Sequence, residues 1–257
     1  MIDGAVRLVA TALDYPFARP DHSFLFVDGA VEPFSVAGAK SLDAALTERG
    51  AAPIADRTAV LAYGANAAPE RLQQKFAPLA PGMTFPVVKA QLFDFDVVYA
   101  CHYSGYGALP ATLAPSPGTI VEIAVTYLDA AQLARMHETE LAGRSYVFGL
   151  LQKMNVTQEG LEPLREVHCY WTGYGCFADA SGPRALAAVN ATGRNFAAAA
   201  QEDMQTHILN YLSPGRDLHD FVHENIADPA LRQERSLALR ADAQTFEYSH
   251  CELLKAD

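Results

Sequence analysis

The sequence predicts an α+β protein, and three observations carry that expectation. Between Arg57 and about Gly175 five stretches are dense in β-branched and aromatic residues: "RTAVLAYG", "KAQLFDFDVVYA", "TIVEIAVTYL", "RSYVFGLLQKMNV" and "EVHCYWTGYG". Only two helical patterns interrupt them. Beyond Ser181 the pattern turns helical, through "PRALAAVNATGRNFAAAAQEDMQTHILNYL" and "RDLHDFVHENI". Strands followed by helices argue against a regular βαβ alternation.

Taken in order, residues 1–56 read as an N-terminal extension with no visible chemistry. In "HSFLFVDGAVEPF" the Asp28-Gly29 pair separates two short apolar runs, a hairpin signal. A short helix follows, with Ser41 as its N-cap and Gly50 as its stop. Residues 57–180 form the core, and residues 181–257 a helical tail packed on it. Within the core one helix begins near Pro69, a residue suited to a first turn. The other, "LDAAQLARMHETEL", has Asp129 at its N-cap and Leu128, Leu133, Met136 and Leu141 as its apolar residues.

Composition excludes several classes. The 257 residues are 50% apolar, enough for a sizeable core. Thirty acidic residues against nineteen basic ones give a formal charge of −11, which disfavours a nucleic-acid partner. No cationic segment leads into a long apolar run, so a soluble, cytoplasmic protein without a membrane partner is expected. Cys101, Cys169, Cys176 and Cys251 form no CxxC pair, and His219 and His223 alone make a weak metal site. No metal site is expected from these residues.

The stretch "VLAYGANAAPERL" stops an apolar run at a glycine just before a helix. Gly64 permits close backbone approach to a ligand, and the helix behind it supplies unsatisfied amide donors, a combination that holds carboxylates and oxyanions. The same residues can serve only as a turn and a cap. Further segments bear on the choice. "ALPATLAPSPG", from Ala108 to Gly118, reads as a small-residue turn leading into the valine-rich strand "TIVEIAVTYL"; then come Met136-His137-Glu138-Thr139-Glu140 and Arg144-Ser145-Tyr146-Val147. In this order, from Tyr63-Gly64-Ala65-Asn66 onward, the chain resembles the gamma-glutamylcyclotransferase-like superfamily over roughly residues 57–175. That family has a Tyr-Gly-Ser-Asn turn, an Ala-Thr and Pro-Gly turn, an apolar-Asp-x-x-Glu helix and a tyrosine-bearing strand. "ATGRNFAAAAQEDM" is weakly similar to the helix that closes the family's site. Two positions depart: Ala65 stands where the motif usually has Ser, and His137 where it usually has Asp.

The resemblance implies a small mixed β-barrel flanked by helices, with a pocket at its mouth. It implies cyclisation of a γ-glutamyl group to 5-oxoproline with release of an amine, on a small-molecule substrate and without a cofactor. Glu140 would be the catalytic acid and base, Gly64, Ala65 and Asn66 would bind substrate through backbone amides, and Tyr63 and Tyr146 would be walls and hydrogen-bond partners. Glu138 lies two residues from Glu140 and would point to a different face of the helix. In "HYSGYG" His102 could border a site or sit in a plain turn, Trp171 and Tyr174 more often pack a core, and Cys101 has no base beside it. A ligand-binding protein without turnover and a protein-interaction module are the alternatives, because fold alone does not decide among them.

Overall fold

The computed structural model describes residues 2–35 and 37–255. After a hairpin of β1 (Phe24–Val27) and β2 (Ala30–Pro33), the strands β3 (Thr58–Ala62), β4 (Thr84–Tyr99), β5 (Ala111–Leu128), β6 (Tyr146–Gln158) and β7 (Leu161–Thr172) close a five-stranded barrel. Antiparallel pairing runs β3 to β5, β5 to β4, β4 to β6 and β6 to β7. One parallel step, Val60 opposite His168, returns β7 to β3. The protein is therefore α+β, the class its strand and helix patterns predict, with the mixed barrel that the resemblance implies.

Strand β3 shows why the barrel is buried on both sides. Leu61 and Tyr63 face the interior with Val88, Leu92, Leu113 and Val125, whereas Val60 and Ala62 face outward onto a second apolar cluster containing Leu72, Phe76 and Met136. A strand covered on two faces reads as a continuous apolar run, as "AVLAY" does. That outer cluster seats α3 (Pro69–Phe76) and α4 (Ala130–Glu140). Pro69 occupies the first turn of α3. Asp129 caps α4 by accepting from the Gln132 amide at 2.9 Å, and the Gln132 side chain accepts from the Asp129 amide at 3.1 Å.

The hairpin turns where expected, with Val27 opposite Ala30 and positive φ at both Asp28 and Gly29. It is joined to the barrel, β1 pairing antiparallel with the start of β4. Three local expectations are corrected. The helix after it, α2 (Ala39–Thr47), is capped by Gly38 and not by Ser41, whose hydroxyl lies inside the first turn and donates to the Gly38 carbonyl at 2.8 Å. A helix, α1 (Ile2–Leu13), opens the chain where none was read. The turn expected over Ala108–Gly118 is strand from Ala111 onward, bent where the Gly118 amide donates to Asp94 at 2.9 Å beside a bulge in β4.

The tail is helical only in part. Residues 178–199 form two-residue strand pairings, among them Ala185 with Ala198 and Ala191 with Val121. Helices resume at α5 (Gln201–Leu212), α6 (Leu218–Ala227) and α7 (Pro229–Leu239). The segment Cys251–Leu253 then adds to the edge of β6.

Candidate active site

A cavity of about 640 Å³ opens beside the turn that follows β3. Tyr63, Gly64, Ala65, Asn66, Glu140 and Tyr146, drawn from three separate segments, all line it. Gly64 leads into a single 3-10 turn, Ala65–Ala67, in which the Ala67 amide donates to the Gly64 carbonyl at 3.2 Å. The pairing of β3 with β5 ends at Ala62, and among the described residues the amides of Gly64, Ala65 and Asn66 have no backbone acceptor. These donors are available to an anion.

Glu140 is the only acidic residue in the lining among the described residues. It sits in the last turn of α4, where the helix dipole disfavours a negative charge, and Lys75 from the last turn of α3 supplies the opposing cation. Both side chains are 14% exposed. The Lys75 ammonium also donates to Asn66 Oδ1, so one cation joins the catalytic-candidate carboxylate to the turn after β3. The junction is braced by Arg135, whose Nε donates to the Lys75 carbonyl at 2.6 Å. Glu138, two residues earlier, pairs with Arg135 and is largely exposed. Lys75 was not foreseen, because a lysine near a helix C-terminus reads as a solvated partner of the dipole.

The tyrosines divide by the use of their hydroxyls. Tyr63 donates to the Tyr170 carbonyl and Tyr146 donates to the Ala111 carbonyl at 2.8 Å, so both protons serve the protein and neither is directed at a ligand. Tyr15 is different. Its oxygen accepts the Ala111 amide at 2.7 Å, and its own proton has no acceptor among the described residues. Burial, with Tyr106 next in effect, pushes this phenol well above its usual pKa, so it stays protonated. Tyr15 belongs to the N-terminal extension, which therefore does reach the chemistry of the cavity.

His137 lies outside the lining. Its Nδ1 is 2.7 Å from the Tyr170 hydroxyl and its ring packs edge-on against Phe148, so the departure from aspartate buttresses Tyr170 from behind. Burial, and after it the neighbouring His168, lowers its pKa. His102 does line the cavity, and burial followed by the nearby charge of Arg240 pulls it down to about 3, leaving a neutral imidazole. Trp171 packs in the core against Phe246, whereas Tyr174 faces the cavity under Arg240. Cys101 is buried, its thiol raised to about 11 by desolvation.

One wall comes from α7 and its continuation: Pro229, Arg232, Gln233, Ser236 and Arg240 recur at intervals of three and four residues and so share one helix face. Ser236 ties this face to the opposite loop by accepting the Tyr103 amide at 3.1 Å. The segment expected to close the site, Ala191 to Met204, is extended up to Ala199 and contributes nothing to the lining. No three His, Cys, Asp or Glu side chains among the described residues are grouped as metal ligands.

Fold and lining together define a closed-barrel α+β protein with an amide-rich turn, one carboxylate and several cations around a single cavity. No family model and no curated protein sequence matches the chain. Among solved structures it is similar to a gamma-glutamyl cyclotransferase, at 14% identity and a TM-score of 0.35, over 75% of this chain and 91% of that one. It is also similar to uncharacterized protein loc79017 from Homo sapiens, at 16% identity and a TM-score of 0.35, over 76% of this chain and 92% of that one. Neither likeness says which residues react, and the chemistry rests on the side chains described above.

Proposed function

We propose that the protein is an amine-releasing cyclotransferase that converts a γ-glutamyl group to 5-oxoproline, with Glu140 as its acid and base. The observation that carries this reading is the pairing of a lone cavity carboxylate, Glu140, with the uncommitted amides of Gly64, Ala65 and Asn66. The substrate's α-amine attacks its own γ-carbonyl carbon, forming the ring C–N bond. The attacking nitrogen passes from ammonium to ring N–H and loses two protons: one goes to solvent, and Glu140 takes the other and returns it to the departing nitrogen as the old C–N bond breaks. The carbonyl oxygen, negative in the tetrahedral intermediate, faces the amides of the turn. Tyr63 and Tyr146 are walls that hold the glutamyl chain folded for attack.

Lys75 is consistent with this scheme because its ammonium occupies the place on Glu140 that a substrate ammonium requires. The same contact favours the second reading, a binding protein whose carboxylate is permanently neutralised. The deciding measurement is 5-oxoproline release from γ-glutamyl amino acids, glutathione and γ-glutamyl amines by the wild type and by Glu140→Gln. Release that falls by roughly 10²- to 10⁴-fold in the variant is the expected result for loss of a general acid–base. Release by neither protein moves the assignment to the binding protein.

A further inference from the structure

We infer that Arg240 forms an anion subsite for a carboxylate on the released portion of the substrate, so that this site selects γ-glutamyl amino acids or peptides over γ-glutamyl amines. The inference rests on the γ-glutamyl reading of the cavity and adds the identity of the group on the far side of the scissile bond.

The argument begins with charge. In a chain of net charge −11, this lining gathers Arg71, Lys75, Arg232 and Arg240 around a single acid. Lys75 answers Glu140, and among the residues whose side chains are described no carboxylate lies within 4.0 Å of the three arginines. They differ in what else holds them. Arg232 donates to the Asn225 carbonyl at 2.7 Å near the end of α6, which is a structural use. Arg71 lies near the Phe17 and Tyr106 rings, at 5.0 and 4.6 Å, and donates to Gln74 at 2.6 Å, while its Nε, like that of Arg240, is buried without a partner.

Arg240 has its Nε fully buried without a hydrogen-bond partner. Its Cζ is held 3.3 Å from the centre of the Tyr174 ring. Stacking uses the face of the guanidinium and leaves its in-plane N–H groups for a ligand, the geometry that suits a bidentate carboxylate. The neighbouring His102 is neutral and adds no competing charge.

A γ-glutamyl amine brings one carboxylate to this cavity. That carboxylate belongs to the reacting end, beside Glu140, where Arg71 stands one helical turn from Lys75 on the same face of α3. Arg240 then meets no ligand carboxylate unless the leaving group carries one. An unpaired buried donor is costly, so the site discriminates against ligands that leave it empty.

The test is calorimetric binding to the full chain carrying Glu140→Gln, which does not consume its ligand. The probes are γ-glutamylglycine and its neutral isostere γ-glutamylglycinamide. The free acid is expected to bind roughly 10- to 100-fold tighter, the span of a charge-assisted hydrogen bond. Adding Arg240→Gln should remove that preference, and Arg240→Lys should restore part of it. Thermal unfolding of each variant checks that it is folded. Equal affinities, or a preference that survives Arg240→Gln in a folded protein, overturn the subsite and leave the γ-glutamyl reading standing. Failure of both probes to bind overturns the γ-glutamyl reading and the subsite with it.

Discussion

Gly64 is held to glycine by a close contact, at a negative φ. A β-carbon there would lie 2.5 Å from the Tyr15 hydroxyl, whereas the next atoms, Ala111 Cβ and Tyr15 Cζ, stand at 3.5 and 3.6 Å. The conflict is thus with a single oxygen. Gly64→Ala is expected to destabilise the protein by ~1–3 kcal/mol, as overpacking does, and to lower turnover by displacing the turn. In a Tyr15→Phe background the same substitution should cost less, because the offending atom is gone. Denaturant unfolding of the two single variants and the double variant measures this coupling, and additive costs would refute the contact. The sequence marked Gly64 through its place in the loop. It could not mark Tyr15, whose partner amide at Ala111 lies 96 positions away. Lys75 and the α7 arginines escaped for a related reason: a cation on a helix looks solvated until its partner is known.

At the scale of elements, legibility followed local chemistry. The Asp28-Gly29 hairpin, the start of α3 at Pro69 and the start of α4 at Asp129 were all readable, because a turn or cap is decided by residues within four positions of one another. Residues 184–199 were misread as helix because alanine favours helices where nothing else intervenes. There the decision is tertiary: the Ala185 and Ala187 amides donate to Ala197 and Ala199 at 2.9 Å, and Arg194 is drawn onto buried Asp96 at 2.9 Å. The Asp129 cap permits a clean experiment. Asp129→Ala removes the acceptor for the Gln132 amide and leaves Gln132 otherwise bonded to Arg57 and to the Thr84 carbonyl. The expected cost is ~1 kcal/mol. That corresponds to a fall in Tm of roughly 2–4 °C for a chain of this size. Glu140 sits at the opposite end of α4, so 5-oxoproline release at 25 °C should change far less than stability.

For the whole molecule, the cavity is assembled from distant parts of the chain, and its burial sets an acid limit on the fold. Tyr15 comes from the N-terminal segment, Gly64 and Tyr146 from the ends of barrel strands, and Arg240 from the tail, while α1 packs on α6 behind them. His102 is enclosed at this junction, 4% exposed, with its Nδ1 unpartnered. Burial, and then Arg240, hold its pKa at about 3 in the folded chain, against ~6.5 when unfolded. Between those values the unfolded chain binds a proton that the folded chain refuses, so stability is full above about pH 6.5 and declines as the pH falls toward 3. His137 and His168, also lowered by burial, act in the same direction, whereas Asp96, raised by burial, acts in the opposite one. A comparison isolates His102 from the rest. The wild type should lose more unfolding free energy between pH 7 and pH 5 than His102→Leu, the difference reaching at most about 2 kcal/mol. Parallel pH profiles for the two proteins would mean that His102 is protonated as readily in the folded chain as in the unfolded one, and that the cavity admits water to its ring.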